Sequence, residues 1–192
     1  MLPRMIVVAG PPGSGKSSAF PVSAFGVAFF NADDRAAELN GGSYHGISGK
    51  IRQTVNREFE TFIQTQIDSG RSFAIETTLR STVTFEQARR ARAAGFVIEI
   101  RYLALRDFAL HLERIKARAD AGGHAASETT LRQIYHSSLA NLAQAVAEAD
   151  QIWVYDNGKT GGPPLLVLEA EAGVIHFLAE DLPPWLVEAL HF

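Results

Sequence analysis

Residues 7–18 read VVAGPPGSGKSS: an apolar run, a cluster of glycine and proline, and then Lys16, Ser17 and Ser18 side by side. Gly10, Pro11, Pro12, Gly13, Ser14, Gly15, Lys16 and Ser17 together satisfy G-x-x-x-x-G-K-[ST]. The context fits, because MIVVA (5–9) before the motif is a β-branched run and KSSAFPVSAF (16–25) after it has helical length, shortened or kinked by Pro21. Such a loop turns successive backbone N–H groups into one concavity. The following helix is expected to add its positive end, Lys16 to reach the β- and γ-phosphates, and Ser17 to ligate Mg²⁺.

Working outward, apolar runs alternate with helical patterns. GVAFFN (26–31) is expected to be a strand buried on both faces, closed by Asn31, Ala32, Asp33 and Asp34, whose carboxylates can begin a helix through RAAEL. The glycine-rich stretch 40–49 reads as a loop. After it Ile51, Val55, Phe59, Phe62, Ile63 and Ile67 recur at helical steps until Gly70. SFAIET (72–77) is a third strand, Ser81 opens another helix, and FVIEIRYLAL (96–105) is a fourth strand. From 107 to 119 an apolar face of Phe108, Leu112, Ile115 and Ala119 leaves Arg114 and Arg118 on the solvent side. One helix is expected over 128–148, a fifth strand at QIWVYD, and a hairpin over 165–178 turning near Glu171–Gly173. Strand–helix alternation predicts an α/β fold: a mostly parallel, five-stranded, three-layer sheet with a C-terminal β-hairpin, in one domain spanning 1–192.

Composition narrows the partners. A formal charge of −3 gives no global field for nucleic acid and favours a small-molecule partner; with the phosphate-binding loop, the expected partners are a nucleoside triphosphate and a small-molecule acceptor. The absence of cysteine excludes disulfides and thiolate metal sites. No apolar run reaches the roughly 18 residues of a membrane span, so a cytoplasmic location without membrane contact is expected. No N-K-x-D segment follows in the manner of a GTPase, although the choice between ATP and GTP stays open, falling to loops such as Asp156-Asn157-Gly158.

Ligands of parallel sheets sit beyond the carboxyl ends of the strands, which places Asp33 and Glu76 towards the reactive end of a nucleotide. Asp33 either accepts the proton of an attacking hydroxyl or caps the next helix. Glu76 holds Mg²⁺ through water, bonds a sugar hydroxyl, or is simply solvated at its strand end; Thr77 and Thr78 add donors beside it. Arg114 and Arg118 precede a glycine-bearing segment, which suits a lid (about 106–132) closing over the γ-phosphate, and equally suits a solvated helix face. His124 in that segment is lid structure or a substrate contact.

The ordered set GPPGSGKSS, FFNADD, FAIETTLRS, RIKARADAGGH, SSLANL and VYDNG resembles the zeta-toxin family of P-loop kinases, from residue 6 to about 158. The resemblance implies a P-loop NTPase fold of the nucleoside-kinase type, with ATP and Mg²⁺ as cofactors and an antitoxin-like protein as a partner. It implies Asp33 as catalytic base, Glu76 and Thr78 as acceptor-sugar contacts with Arg80 beside them, and Lys16, Ser17 and Arg118 as contacts to ATP and its γ-phosphate. Arg114 and Asn157 belong to the same expected nucleotide site. The acceptor implied is UDP-N-acetylglucosamine, phosphorylated on the 3′-hydroxyl of the sugar. Relatives often carry an arginine directly before the aromatic residue of the helix after the lid. Here Tyr135 follows Gln133 and Ile134, and Arg132 is the candidate substitute.

Overall fold

The computed structural model describes residues 2–106, 108–120, 127–158 and 162–191, with only the backbone described at 118–120. Its centre is β1 (Arg4–Ala9), whose residues Met5 to Ala9 have no exposed surface. Around it the sheet runs β2-β3-β1-β4-β5-β6-β7. β2 (Ala28–Phe30), β3 (Phe73–Thr77), β4 (Val97–Ala104) and β5 (Gln151–Asp156) are parallel to β1 or to its neighbours. The expected five parallel strands are therefore present. The hairpin β6 (Leu165–Glu171) and β7 (Val174–Leu178) does not stand apart but pairs antiparallel onto β5, extending the sheet to seven strands. The open edge of β5 would otherwise leave a row of unpaired peptide groups, which β6 satisfies.

Other expectations are corrected. β2 is an edge strand, and Ala28 and Phe29 are exposed rather than buried on both faces. The helix after the loop, α1 (Lys16–Ala19), is a single turn, because Pro21 denies it a donor and keeps Phe20 out of the helical region; a 3₁₀ turn follows over Val22–Phe25. α2 (Ala32–Leu39) is capped not by the aspartates but by Asn31, whose side chain accepts from the N–H groups of Asp33 and Asp34. α3 (Gly49–Asp68) stops at Gly70 as expected, and α4 (Val83–Ala93) starts two residues after Ser81. α5 (Phe108–Asp120) follows β4. The helix expected over 128–148 is interrupted at Asn141, giving α6 (Glu128–Ala140) and α7 (Leu142–Glu148); the Asn141 amide donates to the Leu79 carbonyl at 2.8 Å.

The layers are unequal. One face of the sheet carries the main core, supplied by α3, α4, α6 and α7 and by α8 (Pro184–Leu190), a helix absent from the sequence reading. The opposite face is covered by the short α1 and the 3₁₀ turn, through Val22, Phe20 and Phe25. On that face the Arg101 guanidinium lies between the rings of Phe25 and Trp153, and Trp153 Nε1 donates to Glu169.

α8 plugs the main core with Trp185, which is 2% exposed and packs beside Tyr102, a phenol pushed up in pKa by burial. The Trp185 indole N–H has no hydrogen-bond partner among the described residues. Trp185→Ala should therefore cost about 3–5 kcal/mol in equilibrium urea unfolding. Trp185→Phe, which keeps the packing and removes the orphaned donor, should cost less than about 1.5 kcal/mol.

Candidate active site

The loop of residues 10–17 leaves the carboxyl end of β1 and is held by backbone shape. Gly10 has φ +138°, and a Cβ there would lie 1.9 Å from the Leu103 carbonyl oxygen of β4. Gly13 has φ +78°, and a Cβ there would meet the His111 carbonyl oxygen at 2.8 Å. Both positions need glycine for conformation and for close approach to backbone.

The loop's carbonyls are engaged by side chains of the loop itself and of other elements. Lys16 Nζ donates to Gly10 O at 2.8 Å and to Pro11 O at 3.1 Å. Asn157, directly after β5, donates to Ser14 O at 2.8 Å, and Arg114 Nη2 donates to Asn157 O at 3.0 Å. Arg114 is thus half-buried and turned towards the loop, not held on the solvent side, because a carbonyl partner lies within its reach. His111, 1% exposed, places Nδ1 2.8 Å from Pro12 O and accepts from Leu105 N–H through Nε2 at 3.1 Å. Sequence reading missed His111. Its signal was a polar residue one turn before Arg114 on the otherwise apolar face of α5.

Ser17 Oγ donates to Glu76, lying 3.0 and 3.3 Å from the two carboxylate oxygens, and Lys16 Nζ is 3.9 Å from Oε1. A lysine, a hydroxyl and a carboxylate therefore meet at the ends of adjacent strands β1 and β3. The hydroxyl and carboxylate are hard oxygen donors of the kind Mg²⁺ prefers. Among the described residues no group of three or more His, Cys, Asp or Glu is placed to hold a metal, so such an ion would need further oxygens from a phosphate. Ser14 Oγ is fully buried and has no hydrogen-bond partner among the described residues. These residues fit a magnesium–nucleotide complex. The expected help from a helix dipole is small, since α1 has one turn; the loop amides and Lys16 supply the positive field.

Asp33 lies exposed in the first turn of α2, where Asn31 does the capping, and its carboxylate makes no hydrogen bond or ion pair among the described residues. Beside it Tyr44 donates to Asp34 at 2.8 Å, a bond that raises the Tyr44 pKa and folds the 40–49 segment back onto α2. Asn40 tightens that segment by donating to Ser43 O and His45 O. Thr78 is half-buried after β3, and Arg80 is exposed. Between them Leu79 is fully buried at φ +54°, its N–H donating to Thr77 Oγ1 and its carbonyl held by Asn141. Ser18 is exposed on α1. Arg132 stacks over Phe108 and pairs with Glu128 at 2.9 Å, four residues earlier on α6. The Arg118 side chain and His124 lie outside the described residues. A cavity of about 470 Å³ runs along α3 beside Phe30 and Phe62 and is lined by no residue of the loop.

Strand order and loop together define a P-loop kinase-like domain. The chain matches the family model AAA_33, described as an AAA domain, over residues 5–139, and belongs to that family. Its fold is similar to that of three solved structures. The AvrRxo1-ORF1:AvrRxo1-ORF2 complex with sulphate ions gives a TM-score of 0.67 at 15% identity, over 91% of this chain and 60% of that one. The PezAT chromosomal toxin-antitoxin system of Streptococcus pneumoniae gives 0.65 at 16% identity, over 99% and 83%. A candidate kinase from Chloroflexus aurantiacus gives 0.56 at 18% identity, over 70% and 79%. This chain thus spans less than two thirds of the AvrRxo1 chain.

The two kinds of glycine should separate on mutation. Gly10→Ala drives a methyl into a β4 carbonyl and is expected to cost more than about 3 kcal/mol in thermal or urea unfolding. Gly26→Ala, at φ +66° with open space around it, should cost only about 1 kcal/mol.

Proposed function

We propose that the protein is an ATP- and Mg²⁺-dependent kinase that transfers the γ-phosphoryl group to a hydroxyl of a small molecule. The observation that carries this reading is the division of labour after β2: Asn31 caps α2, which leaves the Asp33 carboxylate unengaged among the described residues just past the carboxyl end of β2, the parallel neighbour of the strand β3 that carries Glu76. A nucleotide sugar such as UDP-N-acetylglucosamine is the favoured acceptor. Its support is the zeta-toxin resemblance of N-A-D, E-T-T and R-x-x-x-R, together with the likeness in fold to the PezAT system. Another hydroxylated metabolite is the alternative.

In this mechanism the loop amides and Lys16 hold the triphosphate, with Lys16 exchanging loop carbonyls for phosphate oxygens. Ser17 would ligate Mg²⁺, and Glu76 would hold it through water or bond the acceptor together with Thr78. Magnesium, when bound, neutralises charge on the β- and γ-phosphates. Asp33 accepts the proton as the acceptor oxygen bonds to the γ-phosphorus; the bond from that phosphorus to the β–γ bridging oxygen breaks, and ADP leaves. Arg114 and Arg118 neutralise the transferring group, and Arg80 and Arg132 contribute to acceptor phosphates. The domain works as one unit in the cytoplasm; of the lid expected at about 106–132, residues 107 and 121–126 lie outside the described residues.

Purified protein with Mg-ATP and a panel of nucleotide sugars should add one phosphate to its acceptor, followed by mass spectrometry. Asp33→Asn should lower kcat by about 10²–10⁴-fold while nucleotide affinity stays within about threefold. Transfer undiminished in Asp33→Asn would remove the assigned base, and tight ATP binding with no transfer to any acceptor would favour a nucleotide sensor.

A protein partner that covers the nucleotide face belongs to the same reading, supported by the likeness to PezAT, itself a toxin-antitoxin system. Expression of the wild-type chain alone should then arrest bacterial growth, and Lys16→Ala should relieve the arrest. Unchanged growth with active wild-type protein would count against the toxin assignment.

A further inference from the structure

A phosphate site built from backbone amides works only if the carbonyls of the same peptides point elsewhere, since each carbonyl oxygen repels an anion as strongly as an N–H attracts it. In the loop, Gly10 O and Pro11 O face Lys16, Ser14 O faces Asn157, and Gly15 O accepts from Ser18 and Ala19 N–H groups. Pro12 O is the case served by a ring: it lies 2.8 Å from His111 Nδ1. Both nitrogens of that ring are committed. Nε2 accepts from the Leu105 N–H, so the neutral tautomer carrying its proton on Nδ1 is the one that satisfies both neighbours. The ring is almost wholly buried, edge-on to Tyr135 at 5.0 Å, and the His111 carbonyl abuts Gly13.

We propose that His111 is a positioning residue for nucleotide binding: by donating from Nδ1 to Pro12 O it keeps that carbonyl out of the phosphate concavity. It also ties the loop to the helix that bears Arg114. The proposal rests on the nucleotide-binding reading for its consequence, but its structural half is tested without any nucleotide.

Two variants separate the two ring contacts. Asparagine can place an amide N–H near the position of Nδ1, and glutamine can reach only towards the position of Nε2. In the nucleotide-free protein, hydrogen exchange of the peptide covering residues 10–19 should quicken in His111→Ala and His111→Gln and stay at the wild-type rate in His111→Asn. ADP titrated calorimetrically should bind about 10-fold more weakly to the first two and within about threefold of wild type to the third. Nitrogen-15 NMR of the imidazole should show the Nδ1–H tautomer. Unchanged loop exchange in His111→Ala, an Nε2–H tautomer, or equal impairment of the Asn and Gln variants with a common fall in melting temperature would each overturn the proposal. If wild-type protein binds no ADP while the exchange pattern holds, loop positioning by His111 stands and the nucleotide-binding reading falls.

Discussion

The turn of the chain at Gly10 is the constraint on which the rest depends. There the backbone comes so close to the Leu103 carbonyl of β4 that no side chain fits, and this contact fixes where the phosphate loop sits relative to the neighbouring strand. β4 must therefore lie beside β1, with Ala9 opposite Tyr102 in register. β3 lies on the other side, with Ala9 opposite Thr77, so Glu76 reaches Ser17 from the end of its strand. Parallel pairing on both sides buries β1 from Met5 to Ala9 completely and leaves its carboxyl end as the point where separate elements converge.

That convergence explains why the site is held mostly by contacts distant in sequence. Asn157 reaches Ser14 across 143 residues, and His111 reaches Pro12 across 99. Each contact anchors a peptide group rather than a side chain, which suits a binding surface made of backbone amides. The thin cover of α1 and the 3₁₀ turn on one sheet face has a related cause. Pro21 ends α1 after one turn, and polar pairs (Arg4 with Glu99, Arg101 with Glu99, and the Trp153 indole N–H donating to Glu169) lie on the neighbouring strands.

What was legible in the sequence follows the range of the determining interaction. The parallel strands, the loop and the stop of α3 at Gly70 depend on neighbours within a few residues, and those expectations hold. Burial of β2 did not follow from its apolar run, because edge or centre is set by which strand pairs beside it. The break at Asn141 depends on a carbonyl 62 residues away, and the orientation of Arg114 on one 43 residues away. Asn31 as the cap was locally readable, since its side chain precedes the first turn, but the two aspartates after it drew the same role. His111 was hidden because a lone histidine on an apolar helix face carries no local sign of its partners.

The free loop already holds most of what a bound nucleotide would require. Lys16, 7% exposed, is not a bare buried charge: two loop carbonyls and the Glu76 carboxylate surround it. A phosphate replaces neutral carbonyl partners with anionic oxygens, so the ammonium gains stronger partners without a fresh desolvation cost. The exchange leaves Gly10 O and Pro11 O without that donor, and Pro11 O keeps the Ser14 N–H at 3.3 Å. Pro12 O and Ser14 O keep donors that take no part in the exchange, from His111 and Asn157. The parts of the loop that must stay still are thus anchored by other elements, and the part that moves is one flexible side chain.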